Sequence, residues 1–321
     1  MSEKKLVSIL VPCYNEQEAL PFFYREVKKI IDENETYRWE LFFINDGSKD
    51  GTMSIIRELS RQDACISYVD LSRNFGKEKA MLAGFDYVKG DCMIIMDADL
   101  QDPPSLIPEM LKYWEEGYDD VYAKRRDRGQ ESWIRKQFSL AFYNLLDKAT
   151  RFEVLKNVGD FRLLDRKCID ALKRLRESER YTKGLFCWIG YQKKEILFDR
   201  GDRQHGQTHW SFFQLAGLAI EGFTSFTVAP LRWATVMGLI IAAATLIYMI
   251  WTLVKVWIWG DPVAGFPTLI TVILFLGAVQ LIAIGILGEY LGRVFNESKG
   301  RPVYLIREYH EMKEESNGST F

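Results

Sequence analysis

The sequence predicts an α/β fold, a Rossmann-like and mostly parallel sheet, followed by interfacial helices and two membrane-crossing helices. Three observations carry that expectation. Short β-rich runs alternate with amphipathic stretches as far as about Asp199. Two later stretches hold no charge over a length that spans a bilayer. Acidic residues cluster just after the apolar runs, where an open parallel sheet presents its ligand site.

The strands come first. Leu6–Val11, Trp39–Ile44, Ile66–Leu71, Cys92–Met96 and Asp120–Ala123 are short, apolar and rich in β-branched or aromatic residues. Between them, Glu16–Ile31, Gly51–Arg61 and Lys77–Val88 place apolar residues at helical spacing. Strand–helix alternation of this kind predicts parallel pairing with helices covering the sheet. The run Leu6–Val11 ends at Pro12, too short for the core of a signal peptide.

The last third changes character. Trp233–Val254 and Pro262–Gly288 hold no charged residue, and each exceeds the roughly 20 apolar residues that cross a bilayer core. The connecting segment Trp257–Phe266 lacks Lys and Arg, whereas Arg200, Arg203 and Arg232 precede the first stretch and Arg293, Lys299, Arg301 and Arg307 border or follow the second. The positive-inside rule then places both termini in the cytoplasm, as a multi-pass protein of the plasma (inner) membrane. Ser211–Val228 and Ser132–Leu146 each gather apolar side chains on one helical face and are expected to lie in the membrane interface. The expected division is a domain over 1–210, a juxtamembrane amphipathic helix over 211–230, two spans over 231–295 and a tail over 296–321. Gly277, Gly285, Gly288 and Gly292 leave room for close helix packing in a homo-oligomer.

Composition narrows the function classes. The 321 residues include 42 basic and 44 acidic side chains, a formal charge of -2. That balance excludes a general nucleic-acid-coating protein. The five cysteines, Cys13, Cys65, Cys92, Cys168 and Cys187, are scattered and odd in number. They suit a reducing compartment rather than a disulfide framework or a zinc site.

Candidate chemistry sits at the strand ends. Pro12-Cys-Tyr-Asn-Glu16 closes the first strand, and Asn15 and Glu16 can cap the next helix or face a ligand. Asn45-Asp-Gly-Ser48 follows the second, placing Asp46 where a parallel sheet presents a carboxylate; a turn with a helix cap is the plainer alternative. Asp97-Ala-Asp-Leu-Gln-Asp-Pro-Pro104 follows the fourth. Its hard oxygen donors suit Mg²⁺ or Mn²⁺ bound together with phosphate oxygens. Lys124, Arg125, Arg126, Arg128, Arg135 and Lys136 form a basic block. It reads either as a solvated flank or as a phosphate dock near the membrane surface. Asp160, in Gly159-Asp-Phe-Arg162, is a candidate general base or donor-positioning group, with a helix cap or an ion pair to Arg162 as the alternative. Arg200-Gly-Asp-Arg-Gln-His-Gly-Gln-Thr208 could close over a diphosphate.

Taken together, these motifs resemble family 2 glycosyltransferases of the GT-A fold, and within them the polyisoprenyl-phosphate hexosyltransferases: the bactoprenol glucosyltransferase group and, more distantly, dolichol-phosphate mannose synthase. The resemblance runs from about Leu6 to Arg307. It implies that Pro12, Tyr14, Glu16 and Asp46 line a nucleotide pocket, with Asp97 near the ribose and diphosphate. It implies that Asp99 and Gln101 hold the divalent metal and that Asp160 lies near the transferred sugar, so that Asp97, Asp99 and Asp160 form the catalytic set. Arg126, Arg128 and Arg135 are expected at the lipid phosphate, and Arg200 and Arg203 over the donor diphosphate. The implied partners are a UDP-hexose, a polyisoprenyl phosphate and a membrane. The implied reaction is inverting transfer of one hexose from UDP-glucose or UDP-N-acetylglucosamine to undecaprenyl phosphate for envelope glycosylation. Two alternatives are a non-catalytic membrane scaffold on the same fold and a transferase acting on another lipid. The complete acidic set, Asp46, Asp97, Asp99 and Asp160, speaks for the enzyme. Asn45 stands where many members carry a second acid, and the Gln-x-x-Arg-Trp motif of processive synthases is missing.

Overall fold

A computed structural model describes residues 4–126, 155, 158–178, 180–198, 229–259 and 265–313. The chain divides into two compact units, one of Met1–Asp147, Arg151–Phe212 and Pro302–Phe321, the other of Lys148–Thr150 and Phe213–Arg301.

The first unit is built on an eight-stranded sheet. In chain order its elements are β1 (Leu6–Cys13), α1 (Leu20–Glu33), β2 (Arg38–Asn45), α2 (Thr52–Gln62), β3 (Ile66–Leu71), α3 (Lys77–Tyr87), β4 (Cys92–Ile95), α4 (Ile107–Glu115), β5 (Asp120–Arg125), β6 (Val158–Asp165), α5 (Arg166–Arg174), α6 (Thr182–Trp188), β7 (Lys193–Phe198) and β8 (Ile306–His310). The strand order is β7-β5-β6-β4-β1-β2-β3-β8. Pairings β1–β2, β1–β4, β2–β3 and β5–β7 are parallel. Pairings β4–β6, β5–β6 and β3–β8 are antiparallel. The sheet is therefore mixed but mostly parallel, as the alternation of elements requires for its centre.

Burial explains which segments form these elements. Val7, Ile9, Leu10 and Val11 of β1 are all fully buried, because the central parallel strand is covered on both faces and so reads as a continuous apolar run. Helix α1 buries Leu20, Phe23, Val27 and Ile31 along one stripe, and α2 buries Met53 and Ile56 in the same way. Three strands, β6, β7 and β8, lie outside the five expected from the alternation. β6 carries Asp160 and Arg162 inside it, and β8 lies in the segment read from sequence as a tail. In β6 the charge of Arg162 is met across the sheet: its Nη1 lies 3.0 Å from Asp120 Oδ2 on β5, both side chains buried. Its guanidinium also stacks 3.8 Å over the Phe186 ring. Arg162 thus pairs with Asp120 rather than with Asp160, the pairing held open as an alternative from sequence.

The second unit contains two long helices, α7 (Ala229–Trp259) and α8 (Phe266–Ser298). Among the described residues one stretch, Phe275–Ser298, is long and apolar enough to cross a membrane. Leu239, Ile247, Trp257, Leu281 and Leu291 on these helices are all largely exposed. The expected interfacial helices over 132–146 and 211–228 lie outside the described residues.

Candidate active site

The carboxyl ends of β1, β2 and β4 and the loop between β3 and α3 enclose a cavity of about 240 Å³. Pro12, Tyr14 and Glu16 enter it from the end of β1, Asp46 from the end of β2, and Asp97 and Asp99 from the end of β4. Six of the residues selected from sequence are thus brought to one pocket. A second cavity of about 350 Å³ shares Glu16, Ala98 and Asp99 with it and extends over Asn15, Asp50 and Leu100. Asn15 (φ 56) and Leu100 (φ 54) both hold left-handed backbone. Asn15 is supported by a bond from Lys49 N to its Oδ1 at 2.9 Å and by its own N–H donating to Ser48 Oγ at 3.0 Å.

Asp46 is fixed by the neighbouring loop. Its two carboxylate oxygens accept from Phe75 N at 2.7 Å and Gly76 N at 2.9 Å. Burial nevertheless raises its pKa, outweighing those two bonds. The turn that carries it depends on Gly47, whose φ is +65° and which packs against the backbone of Arg73 and Asn74. Glu16 is pushed up to about 7, first by burial and then by the charges of Asp99 and Asp97. A cluster of carboxylates this close favours a cation among them.

Lys77, the first residue of α3, lines the same pocket. Its ammonium lies 2.6 Å from Asp97 Oδ1 and 2.8 Å from Asp160 Oδ2. It therefore joins Asp160, which does not line the cavity itself, to the strand-end carboxylates. Desolvation alone would lower the Lys77 pKa; Asp97 and Asp160 more than offset it and drive it up. The Asp160 side chain is 11% exposed. Burial would raise its pKa, but the charges of Lys77 and then Lys183, 4.0 Å from Oδ1, hold it below the ordinary carboxylate range. Its Oδ1 has no hydrogen-bond partner among the described residues. That oxygen is also buried.

Hard oxygen donors of the kind a divalent cation takes lie at the end of β4. Asp97 and Asp99 offer carboxylate oxygens on one side of the pocket. The buried Gln101 amide beside them leaves its Nε2 without a partner among the described residues, and turning that amide presents an oxygen instead. Among the described residues no three His, Cys, Asp or Glu side chains close around one point. Mg²⁺ and Mn²⁺ take few protein ligands and keep sites for water and phosphate; here both Asp97 oxygens are held by Lys77.

Of the remaining sequence candidates, Arg126 is exposed at the end of β5, its N–H donating to Phe198 O at 3.1 Å. Arg128, Arg135, Arg200 and Arg203 lie outside the described residues. Sequence reasoning passed over Lys77 and Asn74, which also line the pocket. The loop after β3 is another strand end of the same parallel sheet, but no residue in it stands out in the sequence as the strand-end carboxylates do.

The model of the family described as glycosyl transferase family 2 matches residues 8–173. A second, described as the GtrB C-terminal hairpin, matches residues 229–294. The bactoprenol glucosyl transferase of Shigella phage SfII is 42% identical over 304 residues, covering 95% of this chain and 98% of that protein. The glycosyltransferase sll0501 of Synechocystis is 43% identical, covering 94% of each. Among solved structures, glucosyl-3-phosphoglycerate synthase from Mycobacterium tuberculosis, in complex with Mn²⁺ and UDP-glucose, is 16% identical with a TM-score of 0.43, covering 67% of this chain and 75% of that one.

Proposed function

The chain belongs to glycosyl transferase family 2, and from that premise we propose that it moves one hexose from a UDP-sugar, UDP-glucose or UDP-N-acetylglucosamine, to a polyisoprenyl phosphate at a membrane surface. The observation that carries the reading is the near-full-length relation, at 42% identity, to a bactoprenol glucosyl transferase. The pocket supports it: carboxylates from three strand ends surround a space where a cation and a diphosphate can sit together. In this reading Pro12, Tyr14, Glu16 and Asp46 receive the nucleotide, with Asp97 toward the ribose and diphosphate. Asp99 and Gln101 hold Mg²⁺ or Mn²⁺, which when bound offsets charge on the departing diphosphate.

The chemistry asks little of a base. The lipid monophosphate is already an anion, and one of its oxygens attacks the anomeric carbon directly. The carbon–oxygen bond to the diphosphate breaks, UDP departs, and the sugar inverts from α to β. The protein contributes alignment and charge stabilisation. Asp160, kept ionised by Lys77 and Lys183, orients the sugar by accepting from a hydroxyl. Arg126, Arg128 and Arg135 receive the lipid phosphate, and Arg200 and Arg203 close on the donor. Helices α7 and α8 form the two membrane spans, with both termini in the cytoplasm. Their exposed apolar side chains favour lipid over water.

The test is transfer by detergent-purified protein from radiolabelled UDP-glucose, UDP-N-acetylglucosamine or GDP-mannose to undecaprenyl phosphate, with Mg²⁺ or with EDTA. An EDTA-sensitive, chloroform-soluble product from one UDP-sugar is expected. Folded protein that binds UDP yet labels no lipid from any donor would overturn the acceptor assignment.

A further inference from the structure

The segment that follows α8 in the chain returns to the sheet, where β8 lies antiparallel on the outer edge of β3. Its contacts converge on the loop that walls the pocket. Leu305 O accepts from Ser72 N at 2.9 Å. Arg307 Nη2 donates to Ser72 O at 2.6 Å, and its Nη1 lies 3.3 Å from Asp70 Oδ2.

Asp70 passes the contact inward. It is 1% exposed, and its other oxygen accepts from Asn45 Nδ2 at 2.7 Å. Asn45 Oδ1 in turn accepts from Ser48 N at 3.3 Å. One guanidinium therefore joins two segments. The first is the turn after β2, which carries Asp46. The second is the loop after β3, whose Phe75 and Gly76 amides grip the Asp46 carboxylate. A buried carboxylate is costly without a cationic partner, and for Asp70 that partner is Arg307. The chain also gives Asn45 a physical reason: an acid there would face Asp70, whereas the amide donates to it.

We propose that Arg307 is a positioning residue for the donor pocket. Through Asp70, Asn45 and Ser72 it sets the turn bearing Asp46 against the loop that holds Asp46, so the strand after the second long helix is part of the donor site. This rests on reading that pocket as the nucleotide-sugar site. Arg307 touches no substrate. Its loss weakens donor binding and leaves turnover of the bound donor intact.

The neighbouring residue supplies the control. Glu308 accepts from Arg57 and Tyr68 and pins β8 to the sheet without entering this chain of bonds. The experiment measures UDP binding by calorimetry on the full chain in detergent, donor KM and kcat, and thermal unfolding. Arg307→Met is expected to raise the UDP Kd and donor KM about tenfold, the scale of one charge-assisted bond, with kcat within about twofold. Arg307→Lys restores most of the affinity. Asn45→Ala, which cuts the chain at its middle, weakens UDP in the same direction and serves if Arg307→Met does not fold. Glu308→Gln binds UDP like the unaltered chain. Unchanged UDP affinity in Arg307→Met overturns the proposal. Equal losses in Arg307→Met and Glu308→Gln also overturn it, by assigning the effect to strand docking. An unaltered chain that binds no UDP refutes the donor-site reading itself and this proposal with it.

Discussion

Replacing Gly47 by alanine tests how tightly the two sides of the pocket are registered. At φ +65° the backbone is left-handed, which costs an alanine roughly 1–2 kcal/mol. The added Cβ would also stand 2.5 Å from Asn74 N and 2.8 Å from Arg73 Cα, and closer still to the Arg73 carbonyl carbon. These are backbone atoms, so no rotamer change relieves them. Ordinary contact of about 3.5 Å requires the loop to retreat by about 1 Å, and overpacking of this kind costs about 1–3 kcal/mol. The sum is about 2–5 kcal/mol, or about 7–14 °C in Tm near its middle for a domain of roughly 150–250 residues.

The retreat also moves Phe75 and Gly76, whose amides hold Asp46. Donor affinity should fall with stability, by about tenfold in UDP Kd if one such bond is lost. Gly76→Ala is the comparison: its φ is +95° but nothing lies within 4 Å of its added Cβ, so it pays strain without the clash. Differential scanning fluorimetry with and without UDP reads both effects. A Gly47→Ala protein that melts within 2 °C of the unaltered chain and binds UDP equally would refute the reasoning.

Asp99→Ala should cut kcat/KM by about 100-fold or more while leaving Tm nearly unchanged, as should EDTA on the unaltered chain, checked in the lipid-transfer assay. Arg162→Met strands the buried Asp120 carboxylate and should cost about 3–5 kcal/mol by urea unfolding; Arg162→Met with Asp120→Leu should regain much of it. Asp63 contributes stability with a defined acid limit. Burial would raise its pKa, but bonds from Lys28, the Cys65 backbone and Tyr24 hold it at about 2, against about 3.9 unfolded. A depressed carboxylate stabilises above the unfolded value, so about 2 kcal/mol is present at neutral pH and is lost as pH falls from about 4 to about 2. Asp63→Asn should flatten that limb of the stability–pH curve, measured by urea titration at each pH.

What the sequence disclosed follows from where its signals are local. The strands β1 to β4 are buried on both faces and announce themselves as apolar runs, and the carboxylates at their ends stand out against that background. Asp46, Asp97 and Asp99 were legible for this reason. β6 was not, because Asp160 and Arg162 sit within it and charge inside a strand reads as a loop; only the register with β5, which sets Asp120 against Arg162, makes that charge tolerable. β8 was missed because Arg307, Glu308, Tyr309 and His310 follow Ile306 directly, leaving no apolar run. Lys77 shows the limit most sharply. Its partners lie 20 and 83 residues away in the chain, and nothing in the run Gly76-Lys-Glu78 marks it as more than the start of a helix. An acidic site names its acids through the desolvation cost that clusters them at strand ends, whereas the cations that balance them arrive from any segment the fold delivers. Sequence reading therefore finds the negative half of such a pocket first, and Lys77, Lys183 and Arg307 had to come from the geometry.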